Sequence, residues 1–140
     1  MAHEFPSEEW IRAWQSMAND EEAYGRAAEG WGVDFNGDVL FHLRSDERLP
    51  EDRYYFAELA DGKVRNSRAV DDPEAIDYGF ALRADYTDWV RLVDGEIEPV
   101  ACIMTCVFDV DGDVRQMLEY SDAVTRLIEI AAAIDSTYRY

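Results

Sequence analysis

Apolar and polar positions follow two rhythms along this chain. Near the N-terminus Trp10, Ile11, Trp14 and Met17 recur at steps of three and four, one face of a helix, and Ser7 stands where a cap would sit. Asn19-Asp20 interrupts that face and can cap a second short helix through Tyr24, Ala27 and Ala28, stopped at Gly30. The rhythm then shortens. Trp31 to Phe35 and Val39 to Leu43, separated by Gly37-Asp38, read as strand, and Ser45 to Asp52 as a polar loop containing Pro50. Tyr54 to Leu59, the turn Asp61-Gly62 and Lys63 to Val70 predict a hairpin. After the loop Asp71-Asp72-Pro73, the stretch Ile76 to Ala84 alternates with Ile76, Tyr78, Phe80 and Leu82 on one face, the signature of a half-buried antiparallel strand.

Helical spacing returns at Trp89, Val90, Leu92 and Val93, with Thr87 or Asp88 as the expected cap and Gly95 as the stop. Pro99 suits the first turn of another helix along the apolar run Val100 to Met104. Val107 to Val110 reads as a short strand, Asp111-Gly112-Asp113 as a turn, and Asp113 as the cap of a helix through Val114, Met117 and Leu118. Ser121 or Asp122 begins a last helix carrying Val124, Leu127, Ile128, Ala131 and Ala132. The order predicts one α+β domain over residues 1–140: N-terminal helices to 30, strands over 31–84, then helices with one further strand over 85–140. The expected architecture is a largely antiparallel sheet of about five strands covered by helices.

Charge changes this picture. Thirty-one acidic residues face 13 basic ones, a net charge of -18, and Lys63 is the only lysine. Acidic blocks such as Glu21-Glu22 and Asp71-Asp72 are spread along the whole chain. That distribution points to a solvated acidic surface of the kind suited to brine, ahead of a dedicated basic partner. Nucleic acid is disfavoured, because phosphate binding needs clustered Lys and Arg. No run approaches the roughly 20 apolar residues of a membrane span, and neither a secretory signal nor a C-terminal address is visible, so a cytoplasmic protein without stable membrane insertion is expected.

Candidate chemistry is sparse. Asp109, Asp111 and Asp113 resemble the start of a calcium loop, but its sixth and twelfth places hold Val114 and Tyr120 instead of Gly and Glu. Cys102 and Cys106, with only His3 and His42 in support, are too few for a zinc site and read as buried small hydrophobes. His42 lies in a strand pattern, and Ser67, Ser121 and Ser136 have no base nearby in sequence. No nucleophile elbow, P-loop or dinucleotide fingerprint occurs. No metal, no cofactor and no catalytic residue is therefore expected.

The aromatic excess remains: Trp10, Trp14, Trp31 and Trp89 with eight tyrosines and six phenylalanines. These serve either a solid core or the wall of an apolar cavity between helices and sheet. Here the chain resembles the small stand-alone prokaryotic members of the sterol carrier protein 2 family, in a form expected of a haloarchaeon. Trp10, the segment Asn19 to Tyr24 and Ala27 to Trp31 are similar to that family's N-terminal helix pair. The block Trp89 to Pro99 is similar to its helix, Gly-x-x-x-Pro turn and second helix. Asp111-Gly112-Asp113 matches the Gly-Asp after its final strand, and Leu118 to Ala133 its last helix. Thr105-Cys106 departs from the family, which usually has Gly there.

The resemblance implies a non-catalytic protein holding a hydrophobic small molecule or lipid (a sterol, an isoprenoid or an acyl chain) in an apolar tunnel. The expected lining is Phe80, Leu82, Val90, Val93, Val100, Ile103, Met104, Met117 and Leu118, with the three aspartates at the tunnel's polar end. Two other readings stand beside it. A protein-interaction or regulatory module would use the same fold without a ligand and expose an apolar patch, for instance around Trp10 and Trp14. An enzyme would show two convergent carboxylates with opposed pKa shifts at a pocket mouth.

Overall fold

A computed structural model describes residues 2–98, 101, 104, 105, 107–138 and 140. The first helix, α1 (Glu8–Asp20), starts where its spacing requires. The Ser7 hydroxyl accepts from the Trp10 amide at 3.0 Å, and Trp10, Ile11 and Trp14 are buried on one face. Met17, two turns on from Trp10, is 38% exposed. Helix α2 (Glu22–Ala27) follows behind Glu21, which makes no side-chain capping bond, while Asn19 and Asp20, the expected caps, still belong to α1.

The chain next forms strands β2 (Val39–Arg44), β3 (Arg53–Ala60) and β4 (Lys63–Val70), a 3-10 turn at Pro73–Ala75, and β5 (Phe80–Asp85). Helix α3 (Tyr86–Val93), strand β6 (Asp109–Asp111), and helices α4 (Val114–Glu119) and α5 (Ser121–Ala133) complete the main body. One five-stranded sheet results, in the order β4-β3-β2-β5-β6. The expected hairpin is β3–β4, closed by Asp61 and Gly62, whose φ values of 49° and 81° fit the turn favoured by Asp-Gly.

Two expectations about strands need correction. Trp31 to Phe35 is a series of turns: the Trp31 amide donates to Ala28 O and the Val33 amide to Gly30 O. Gly32 at φ 77° sits in the left-handed region, which no strand can use, so apolar alternation there did not mean pleat. The β5 strand is shorter than its alternation suggested and pairs antiparallel with β6 but parallel with β2. The sheet is therefore mostly antiparallel with one parallel pair.

Short strands at the two chain ends carry too little pattern to be read from sequence. β1 (His3–Phe5) pairs in parallel with β7 (Ser136–Tyr138) as a separate two-stranded sheet. Phe5 stacks edge-on against Trp10 at 4.8 Å, and the Trp10 indole donates to Ser136 Oγ at 2.8 Å.

Helix α3 also differs at its start. Neither Thr87 nor Asp88 is the cap; the helix begins at Tyr86 behind Asp85, which makes no capping bond. Asp46, from the loop after β2, supplies the acceptor instead. Its carboxylate takes the Thr87 amide and the Thr87 hydroxyl, each at 2.8 Å. The other end is as expected. Gly95 (φ 78°) follows the last turn, its amide donates to Leu92 O and that of Glu96 to Arg91 O, which satisfies two of the helix's open carbonyls.

Helices gather on one face of the sheet. Val39, Phe41 and Leu43 of β2 share that face with Leu82 of β5 and Tyr55 of β3, following the strand registers. α1 packs against β4 and α5, and α3 against β5, β2 and α5. Asn19 binds the β4 edge like an added strand residue: its amide donates to Val64 O at 2.9 Å and accepts from Val64 N at 2.8 Å. No helix among the described residues is long and apolar enough to cross a membrane.

Candidate functional site

Between the helical layer and the inner sheet face lies a cavity of about 130 Å³ whose wall is almost wholly apolar. Every layer contributes. Phe41 and Leu82 form part of the sheet floor, Trp10 and Trp14 come from α1, Trp89 and Val93 from α3, and Met117 from α4. One face of α5 (Val124, Leu127, Ile128 and Ala131) runs along the remaining side.

The four tryptophans line this wall without offering it a free donor. Trp10 donates to Ser136 Oγ, Trp14 to Leu127 O at 3.0 Å, Trp31 to Gly37 O at 2.9 Å and Trp89 to His42 O at 3.0 Å. Each indole turns its polar edge into the protein and its ring toward the cavity layer, as buried tryptophans generally require. Burial pushes the phenols of Tyr24 and Tyr55, which also line the wall, up to about 12, so both stay neutral.

The residues expected to line a tunnel fall at different places around this cavity. Leu82, Val93 and Met117 are in the wall. Phe80 shares the inner face of β5 and is buried, but it is not in the wall; the ring of Trp31, which is in the wall, lies 4.9 Å from it between centres. Val90 is buried beside the wall on α3, one helical step away from Trp89. Leu118 is half-buried and lies outside the wall, since a step of about 100° from Met117 turns it away. Met104 is 64% exposed and is corrected to a surface position. Val100 and Ile103, like Cys102, Cys106 and the helix start at Pro99, lie outside the described residues.

What sequence reasoning missed was the share of α1 and α5. Their three-four spacing was visible, but that spacing marks a buried face equally well whether it meets atoms or space.

The aspartate cluster is structural. Asp109 pairs with Arg44 Nη1 at 2.9 Å, Asp111 lies 3.5 Å from Arg83, and Asp113 accepts from the Gln116 amide as the cap of α4. Among the described residues no group of His, Cys, Asp and Glu could hold a metal ion. His42 is held by Asp52 at 2.8 Å and stacked on Tyr54 on the opposite face of the sheet from the cavity. Trp10 and Trp14 are 7% and 4% exposed, so the apolar patch that an interaction module would show there is absent.

Two carboxylates are shifted in opposite senses. Burial, with help from Glu58, raises Asp38. Burial would also raise Asp46, but amide donors from Thr87, Leu49 and Arg48 outweigh it and hold that carboxyl at about 2. They flank opposite ends of β2, roughly 25 Å apart at strand rise, and do not converge on a pocket.

No family model matches the chain, and no curated protein matches it. Solved structures do. A crystal structure of sterol carrier protein 2 superposes with a TM-score of 0.83 at 25% identity, over 94% of this chain and 99% of that one. The solution structure of a conserved hypothetical protein from Thermus thermophilus, connected by its name with sterol carrier proteins, gives 0.82 at 24% identity over 98% and 94%. Sterol carrier protein 2 of Yarrowia lipolytica, in its apo form, gives 0.56 at 14% identity over 95% and 97%. On these superpositions the chain has the sterol carrier protein 2 fold.

Proposed function

We propose that the protein binds a lipid-like molecule in the cavity between sheet and helices and carries it without chemical change. The single observation behind this is the continuous apolar wall, to which the sheet and five helices all contribute. A packed core of this size leaves few voids larger than water, and an apolar void stays dry and accepts apolar guests. Binding would be driven by removing hydrocarbon from water, at about 25 cal/mol per Å². The names of the superposing structures support the same reading, while the separation of Asp38 from Asp46 speaks against acid–base catalysis at the site.

Size adds a condition. A cavity of about 130 Å³ is close to the ~150 Å³ that accepts benzene and well below the roughly 300–1,000 Å³ of most ligand pockets. A chain or fused-ring ligand therefore has to widen it. The half-buried wall positions on α5 mark the side where packing is least complete. The test is mass spectrometry of organic extracts from protein purified without detergent. A recurrent hydrocarbon-rich compound at near-stoichiometric amount supports carriage. Empty protein that also fails to bind any fluorescent lipid analogue contradicts it.

A further inference from the structure

We propose, building on the carriage reading, that the cavity selects uncharged lipids (alcohols, esters or plain hydrocarbons) and rejects carboxylates of the same chain. Three independent features of this chain lead there.

The first is the wall. Among the described residues it contains no charged side chain, and its four indole N–H groups are already donated to Ser136, Leu127, Gly37 and His42. The Ser7 hydroxyl at its end is likewise used, donating to Glu4 O and accepting from the Trp10 amide. A carboxylate drawn inside would lose its hydration and meet no cation, the arrangement that costs most in an apolar environment.

The second is the rim. Wall residues that retain contact with solvent include Tyr120, Val124, Leu127 and Ile128, all on α5 or at its start. A head group left outside would lie along this helix. The exposed charged side chains of this helix are Asp122, Arg126 and Glu129, on the side turned away from the wall, so they act on a head group through their field and not by contact. The helix's one cation, Arg126, is already shared between Glu21 at 3.5 Å and Glu129 at 3.6 Å. On α3, Arg91 is similarly shared between Asp88 and Glu96.

The third is the field of the whole molecule, whose net charge of -18 opposes the approach of any anion. The Tyr24 and Tyr55 phenols stay neutral throughout the ordinary pH range and add no charge of their own to this field.

The experiment compares parinaric acid, its methyl ester and its alcohol, which share one fluorescent chain and differ only at the head. Each is titrated into the full chain at pH 8 in low and in molar potassium chloride. The expected result is ester and alcohol binding at least tenfold tighter than acid at low salt. The gap should shrink in molar salt as the field is screened, without closing, because the wall itself is unscreened. A variant carrying Asp122→Lys and Glu129→Lys, both at exposed positions, should narrow the low-salt gap at least threefold. Acid binding as tightly as alcohol, or a gap unmoved by reversing the rim charges, overturns the proposal and leaves carriage intact. Failure of all three probes to bind overturns carriage and this selectivity together.

Discussion

Asp46 shows how much one residue can organise. It accepts the amides of Arg48 and Leu49 in its own loop and both the amide and hydroxyl of Thr87 at the start of α3. One carboxylate thus shapes a loop and caps a helix 41 residues away. Asp46→Ala should cost about 2 kcal/mol, the upper range for a lost cap, read from the urea midpoint. Its depressed pKa gives the sign of a pH effect. The bonds need the ionised form, so their contribution is complete above the unfolded value near 4 and is lost as pH falls from about 4 to about 2. Acid titration of stability should show a step in that window that is missing from Asp46→Ala; an unchanged step would remove Asp46 from the account. Local caps such as Ser7 and Asp113 were legible in the sequence because donor and acceptor lie three residues apart. Asp46 was not, since nothing near Thr87 in sequence names its partner.

At the scale of elements, legibility follows the length of the pattern. The β3–β4 hairpin has eight residues in each strand and a turn whose residues dictate its shape, and it was readable. Strands β1 and β7, three residues each, were not. The parallel β2–β5 pairing was hidden because alternation reports a buried face without reporting the direction of the neighbour. The edge strand β4 is closed by α1 through Asn19, which takes both backbone groups of the buried Val64. Asn19→Ala leaves those groups unpaired and should cost about 2 kcal/mol by chemical denaturation. It should also raise the tendency to associate, since a freed sheet edge is a template for pairing. A variant as stable as the parent and no more prone to associate would show that α1 does not guard the edge. The element nearest the proposed function is α5. Ala131→Leu adds bulk to the wall where space exists, so stability should change by less than about 1.5 kcal/mol while lipid-probe affinity falls at least tenfold. Unchanged affinity would place the ligand elsewhere.

For the molecule as a whole, surface and interior report different things. The surface carries the charge of -18, and composition alone made that visible. At roughly 0.01 M salt the Debye length is about 30 Å, so carboxylates repel across the domain; at molar salt it is about 3 Å and only neighbours interact. The midpoint of thermal unfolding should therefore rise steeply from low to molar potassium chloride. A flat or falling midpoint would sink the reading of the surface as suited to brine and return attention to a basic partner. The interior was less legible: helix spacing located the buried faces, but only three-dimensional packing tells a filled core from a cavity. Family resemblance carried the fold further than periodicity did, and the superposition at a TM-score of 0.83 agrees with it.

Carriage in the cavity is the central claim, and the four methionines offer a direct reading of it. Met117 is buried in the wall, whereas Met17 and Met104 are exposed outside it. Methyl NMR of methionine-labelled protein, titrated with dodecanol, separates the cavity from the surface within one spectrum. The account predicts a saturable shift of the Met117 methyl with those of Met17 and Met104 nearly still. A Met117 signal that stays in place at saturating alcohol, or shifts confined to Met17 and Met104, would contradict it.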